Sequence, residues 1–400
     1  VTRFAGVIGA PIAGRAPGGR GDADPATAAI LARAVTDARA CGVTRLADVT
    51  RLDALGVHVF QAVRPLGKTV AVHQGKGLAA PEAMIGALME AVECDHAEQF
   101  EGETLVSAFA ALPKLERSDA LADFAADRSH PPGDDEPLRW VAARRIVDGR
   151  RLWIPFETVS LDLGRPGHPR LERSSVGLAA RYDFEGAVLK GLQEVIERDA
   201  EQAWMALPIE RRTRDRVESG TVPYAWFRDL RAQIAQAGLR LAVYQLPAAV
   251  AVPVILTELF EPGAAGCLRR RAFGLACRAT PEGALLASLT EAAQARLTAI
   301  SGVRDDILYE PAPRPEADGF GVGLPPPGQI TPRTWGQVET RGAASPSATS
   351  VDLARGLARS GFPDAAVITL SSAAGGAIVV KVTAPGLGVF RRTRRPGRCA

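Results

Sequence analysis

The sequence predicts an α/β fold with mixed sheets, organised as three repeated strand–turn–helix units. The main observation is a thirteen-residue helical segment that occurs three times, as PEAMIGALMEAVE at 81–93, EGAVLKGLQEVIE at 185–197 and EGALLASLTEAAQ at 282–294. Strand-like stretches and glycine-containing turns lead into these copies. The chain of 400 residues, 46% hydrophobic, is long enough for a substantial core.

In chain order, residues 1–25 are rich in Gly and Pro and read as a flexible segment, and one catalytic-sized domain is expected over 26–400. Composition makes 26–40 a helix, and 44–49 and 57–63 read as strands. A strand and a tight turn at Gly75-Lys76-Gly77 lead into the first repeat helix, which Pro81 can open. Residues 114–137, charged and Pro-containing, read as a surface excursion. Alternation over 140–163 suggests paired strands. Ser174-Ser175-Val176-Gly177 precedes the second helix. Stretches 239–260 and 268–277 are strongly β-like, and Thr280-Pro281-Glu282 suits the N-cap and first turn of the third helix. A Pro- and Gly-rich surface loop is expected at 311–332. The closing α/β segment, 350–390, supplies a helix near 351–360 and strands at 366–370 and 376–382. The basic tail RRTRRPGRCA reads as a solvated terminus.

The repeat carries chemistry as well as architecture. Each copy has Ala at its third position and Leu at its eighth. Each ends in an acid followed three residues later by Glu or Gln: Glu90 and Glu93, Glu194 and Glu197, Glu291 and Gln294. An i,i+3 pair shares one helix face. One turn earlier that face carries a small residue: Ala87, Gly191 or Ser288. If the three strips converge, five carboxylates and an amide share one space. They cannot all stay ionised there unless cations join them. Hard oxygen donors point to Mg²⁺, and Mg²⁺ held by carboxylates usually arrives with phosphates. The chain has no G-x-x-x-x-G-K-[ST], and Gly319, Gly321 and Gly323 lie in the Pro-rich loop rather than between a strand and a helix. An ATP site here would be one without a P-loop.

Bulk properties narrow the classes. A net charge of +3 gives no argument for nucleic acid or an anionic membrane as the main partner. The five cysteines are scattered with no CxxC, a pattern that fits a reducing cytoplasm rather than a disulfide framework or zinc site. No stretch reads as a transmembrane helix, and the first residues lack the long apolar region of a signal peptide.

Three stretches together resemble the YcaO family: VHQGKGLAAPEAMIGALMEAVE, SSVGLAARYDFEGAVLKGLQEVIERDA and EGALLASLTEAAQARLTAISGVRDD. Their order and spacing also agree, over a core of about 42–306. The resemblance implies an enzyme that uses ATP and Mg²⁺ to activate a peptide backbone amide by O-phosphorylation. A Cys, Ser or Thr nucleophile would then give an azoline; an external sulfur donor would give a thioamide. GVTRLADVTRLDALGVHVFQAVRP and PGLGVF look most like the branch that works with a TfuA-type partner, associated with thioamides in ribosomally made peptides or proteins. The Pro-x-Pro-x-Pro tail of many azoline-forming members is absent. The implied partners are thus a precursor peptide or protein, a TfuA-like protein and a sulfur donor, with a homodimer among the expected assemblies.

Carried over by motif position, Glu90, Glu93, Glu194, Glu197, Glu291 and Gln294 would hold Mg²⁺. Lys76 and Arg198 would meet the phosphates catalytically, and Ser174, Ser175, Arg64 and Arg304 would contact the nucleotide, with Asp305 beside the last. Val176 stands where members commonly have Asn, and His73 where they often have Ser. No general base is evident, and no Ser–His–Asp or Cys–His set stands out. A non-catalytic peptide-binding scaffold is the competing class, but it would be expected to have lost the carboxylates that this chain keeps.

Overall fold

The computed structural model describes residues 24–262, 268–302, 331–341, 347–371 and 375–387. Arg304, Asp305, most of the Pro-rich loop, the basic tail and nearly all of 1–25 lie outside the described residues. The helix expected at 26–40 is α1 (Pro25–Ala40), started by the Asp24 carboxylate on the Ala26 and Thr27 amides. Then come β1 (Arg45–Asp48), β2 (His58–Val63), β3 (Val72–Gly77) and α2 (Ala80–Glu98). The next stretch contains β4 (Thr104–Ala108), β5 (Pro137–Arg145), β6 (Arg151–Pro155) and the short α3 (Phe156–Val159). The second repeat unit is β7 (Leu178–Arg181) with α4 (Phe184–Met205). After α5 (Ile209–Arg212), β8 (Arg216–Val217) and α6 (Ala225–Gln236), a meander of β9 (Arg240–Leu246), β10 (Val254–Pro262) and β11 (Leu268–Cys277) feeds α7 (Pro281–Ser301). The described chain closes with α8 (Trp335–Arg341), α9 (Ser350–Arg359), β12 (Ala366–Ser371) and β13 (Ile378–Thr383).

The strands form three sheets: β1-β2-β3, β11-β10-β9-β8, and β4-β5-β12-β13-β7 with β6 added to β5. Pairing within each ladder is antiparallel, and a parallel bridge joins Val217 to Arg333. The repeat helices alternate with these sheets. Helix α2 packs between β3 of the first and β7 of the largest. Helix α4 packs between β7 and β13 of the largest and β11 of the four-stranded sheet. Helix α7 packs between β10 and β11 of the latter and β3 of the first. The result is a closed ring of helices and sheets, each helix burying apolar side chains on both flanks.

Two sequence expectations change. Gly75-Lys76-Gly77 is not a turn but the end of strand β3. Gly75 is required by contact: a Cβ there would lie 1.9 Å from the Ala83 carbonyl oxygen and 2.2 Å from the Ala87 nitrogen. Gly274 in β11 meets α7 in the same way, since a Cβ added to it would fall 1.9 Å from the Ser288 carbonyl oxygen. The small-residue strip is therefore where α2 presses onto β3 and α7 onto β11, while in α4 Gly191 meets the Gly177 carbonyl and Val382 of β13. Residues 114–137 are more than a surface excursion. Leu121 and Phe124 turn inward through a short 3-10 helix and join Trp140, Leu152 and Ile154 in a buried cluster.

Candidate functional site

The second member of each repeat pair, Glu or Gln, reaches across to the next unit. Glu93 of α2 accepts the Ala180 N–H of β7 at 2.8 Å. Glu197 of α4 accepts the Cys277 N–H of β11 at 3.0 Å. Gln294 of α7 closes the circle by donating to the Gln74 side-chain oxygen in β3 at 3.3 Å, and that oxygen also receives the Thr298 hydroxyl at 2.5 Å. The first acids behave differently. Glu90 and Glu194 turn back to their own units, accepting the Gln74 N–H at 2.8 Å and the Gly177 N–H at 3.3 Å. Glu291 is taken by Lys76 of the first unit at 2.5 Å. The six residues expected as metal ligands are therefore linked with β3, β7 and β11 in one circuit of contacts.

The helix starts fix this register. Asp183 caps α4 by accepting the Gly186 N–H, and Thr280 caps α7 by accepting the Gly283 N–H. Pro81 and Pro281 open their helices without sacrificing a donor.

Cations meet the acids at several points. Lys190 donates to Glu93 at 2.5 Å, and Arg198 lies 3.5 Å from Glu197 and 3.1 Å from Glu201. These ion pairs leave a residue of uncompensated charge. Burial pushes Glu90 up to about 7, with Glu93 adding to the rise against the Gln74 N–H, Lys76 and Lys190. Burial also raises Glu194. Glu197 is raised by burial and by the facing Glu291, while Lys76 and Arg198 outweigh burial and hold Glu291 low. A site that forces protons onto its carboxylates is one that welcomes a divalent cation. The donors are hard oxygens, so the set fits Mg²⁺. Among the described residues, no three of these acids bring ligand atoms within 4.8 Å, as Cys41, Asp95 and His96 do on α2's outer side. The outer trio is engaged otherwise: Asp95 receives Arg64 and Gln99, and His96 Nδ1 faces the Val92 carbonyl.

Proton and metal compete for these groups, which gives a signed expectation. A native Glu90 near 7 takes up a proton between its unfolded value of 4.5 and 7. Its contribution to stability is therefore fully present below 4.5 and is lost as pH rises through 7. Without divalent metal, the melting temperature should fall from pH 5 to pH 8 by an amount that Glu90→Gln reduces. Mg²⁺–ATP should raise it more at pH 8 than at pH 6, as read by scanning fluorimetry. Equal shifts at the two pH values would contradict the competition.

The other expected site residues separate into groups. Lys76 and Arg198 face the ring. Ser174 and the exposed Ser175 lie in the turn before β7, where the Ser174 hydroxyl accepts the Val176 N–H. Arg64 is elsewhere: it is buried, pairs with Asp95 at 3.1 Å and Glu98 at 2.7 Å, and ties β2 to the end of α2. A phosphate would have to displace two carboxylates to use it. His73 is fully buried within β3. Sequence reasoning missed Gln74, which the ring uses through both backbone and side chain, and Lys190. A signal for Lys190 was present: it sits four residues before Glu194, where the other copies have Gly86 and Ala287.

The family model for YcaO, described as an ATP- and Mg²⁺-binding cyclodehydratase, matches residues 74–388. A protein of Rhizobium leguminosarum bv. trifolii named "Uncharacterized protein in tfuA 3'region" is 33% identical over 271 residues, 66% of this chain and 64% of that protein. The chain thus spans less than two thirds of that relative's length. Among solved structures, YcaO from Methanopyrus kandleri bound with AMPPCP and Mg²⁺ superposes with a TM-score of 0.67 at 20% identity, over 90% of this chain and 91% of that one. A heterocyclase in complex with substrate and cofactor gives 0.71 at 19% identity, over 89% and 52%. At these identities the two structures establish the fold.

Proposed function

The chain belongs to the YcaO family of ATP- and Mg²⁺-binding cyclodehydratases, and on that premise we propose that its acidic ring holds Mg²⁺–ATP to activate a peptide backbone amide by O-phosphorylation. The observation that carries this reading is the closure of three Glu–Glu/Gln pairs into one circuit of bonds, with buried carboxylates pushed toward protonation. Glu90, Glu93, Glu194, Glu197, Glu291 and Gln294 hold the metal, which neutralises phosphate charge when bound. Lys76 and Arg198 supply mobile positive charge at the same centre. Each is paired with an acid of the ring, so a phosphoryl group competes for it rather than creating it anew. Positioning and charge neutralisation are most of what phosphoryl transfer asks of a protein. Ser174 and Ser175 bound the nucleotide side through the turn before β7. The family resemblance alone carries Arg304 over as a further nucleotide contact.

For the product we favour a thioamide. A sulfur nucleophile adds to the amide carbonyl, the resulting oxyanion takes the γ-phosphoryl group, and loss of phosphate and a proton leaves C=S. The name of the Rhizobium relative, which places it beside tfuA, supports a TfuA-like partner and hence an external sulfur donor. The family description as a cyclodehydratase favours the second reading, in which a Cys, Ser or Thr side chain attacks and the peptide loses one water as an azoline. No helix among the described residues is long and apolar enough to cross a membrane.

Mass spectrometry of a peptide encoded nearby decides between these readings, after incubation with ATP, Mg²⁺, sulfide and the partner. The expected result is a gain of about 16 Da from O-to-S exchange that requires both ATP and sulfide. Loss of about 18 Da without sulfide would replace it by the azoline. A peptide left unchanged in both arms, with no ATP consumed, would return the scaffold reading.

A further inference from the structure

A buried lysine outside the repeat helices bonds the turn that serves Glu194. Lys381 lies in β13 among Val379, Val380 and Val382 and is 2% exposed. Its Nζ donates to the Ser174 carbonyl oxygen at 2.5 Å. The next residue in β13, Val382, donates its N–H to the Gly177 carbonyl oxygen at 2.8 Å. Two successive residues of one strand therefore grip both ends of the Ser174–Gly177 turn, one by side chain and one by backbone. Inside the turn the Val176 N–H returns to the Ser174 hydroxyl, and the Gly177 N–H points out to Glu194.

The type of residue is informative. Burying an ammonium among valines is costly unless hydrogen bonds and nearby charge compensate it. The cavity that Lys381, Glu172, Ser174 and Val176 help to line has a volume of only about 10 Å³, room for about one water. The ammonium therefore has space for no more than about one water and relies on the Ser174 carbonyl. Burial pushes the Lys381 amine down to about 8, and the fields of Glu194 and Glu172 act against that fall. A strand needing only to pack would be better served by another aliphatic side chain. What the lysine adds is a strong donor for a carbonyl that an aliphatic residue would leave without this bond.

We propose that Lys381 is a positioning residue of the nucleotide site: with the Val382 amide it clamps the Ser174–Gly177 turn, so that Ser174 and Ser175 face the nucleotide and Glu194 is held at its metal-binding position. This rests on the Mg²⁺–ATP reading of the acidic ring. It does not require Lys381 to touch the nucleotide.

The test compares wild type, Lys381→Met, Lys381→Gln and Lys381→Arg by calorimetry with Mg²⁺–ATP and by hydrogen–deuterium exchange. Lys381→Met should weaken Mg²⁺–ATP binding at least tenfold and speed exchange over residues 174–178, while residues 137–155 keep wild-type exchange. Arg, a charged donor, should recover most of the affinity, and Gln, a neutral donor, part of it. Mg²⁺–ATP affinity in Lys381→Met within twofold of wild type would overturn the proposal. So would accelerated exchange spread evenly over the chain, which marks a structural role alone. If Lys381→Met does not fold, the Gln and Arg variants decide by the same two readouts. A wild-type protein that fails to bind Mg²⁺–ATP would remove the nucleotide reading, while the exchange pattern would still judge the clamp.

Discussion

Glu197→Ala should abolish ATP turnover, by on the order of 10³-fold, and should also lower the melting temperature. The two losses have one origin. Glu197 is a ligand expected to hold Mg²⁺, and its Oε2 is also the acceptor for the Cys277 N–H. Removal leaves a buried amide without this partner, at a cost of about 1–3 kcal/mol. Glu197→Gln separates them. Its amide oxygen can still accept from Cys277, so the fold should hold, while the lost anionic donor weakens Mg²⁺–ATP binding by at least about tenfold. Phosphate release, calorimetry and melting curves on the three proteins check this. Turnover in Glu197→Ala near the wild-type rate would remove the acidic ring from the mechanism. Glu194 should follow the same pattern with a smaller structural penalty, because its bond to the Gly177 N–H is longer at 3.3 Å.

Gly75→Ala and Gly274→Ala should each destabilise the protein by about 3 kcal/mol or more, although alanine is among the mildest of substitutions. At both positions the added carbon would fall 1.9 Å from a helix carbonyl oxygen, and the nearest atoms are backbone. No rotamer can relieve that contact; α2 must leave β3, or α7 must leave β11. Displacing α2 moves Glu90 and Glu93 together, so the surviving folded fraction should also bind Mg²⁺–ATP more weakly. Thermal melts should show a drop of about 5 °C or more. A melting temperature within one degree of wild type would mean that the helices do not press on these strands as described. Gly149, where an added Cβ would meet nothing within 4 Å, has no such neighbour, but its positive φ makes it a poor control. Gly336, equally open and without that φ, is the suitable one.

These residues also show how much the sequence reveals. The register of the six proposed ligand positions was legible because repetition places an acid, or once an amide, at the same points of three helices, and i,i+3 geometry needs no tertiary knowledge. Most strands were legible from β-branched runs, and the third helix from Thr280 and Pro281. The crossing pattern was not. That Glu93 serves β7 and Glu197 serves β11 depends on which sheet each helix shares, and no local pattern encodes it. Gly75 was misread for a related reason. A glycine pair flanking a lysine looks like a turn, yet here close helix contact, not a reversal of the chain, demands the missing side chain. Arg64 looked like a phosphate ligand because an arginine carries no local sign of its partner; Asp95 and Glu98 lie about thirty residues away along the chain.

The crossing bonds have a consequence for how such a chain can change its length. Each joint of the ring is made by a side chain of one unit on a strand of another, and none is made by the segments that link the units. Most of each connection therefore lies outside the crossing bonds, the Ser174–Gly177 turn that serves Glu194 excepted. About eighty residues, with several strands of their own, lie between the end of α2 and the start of β7, yet Glu93 still meets Ala180 directly. Whole subdomains can be spliced into the links while the centre stays intact, whereas loss of a single unit would unlock the other two.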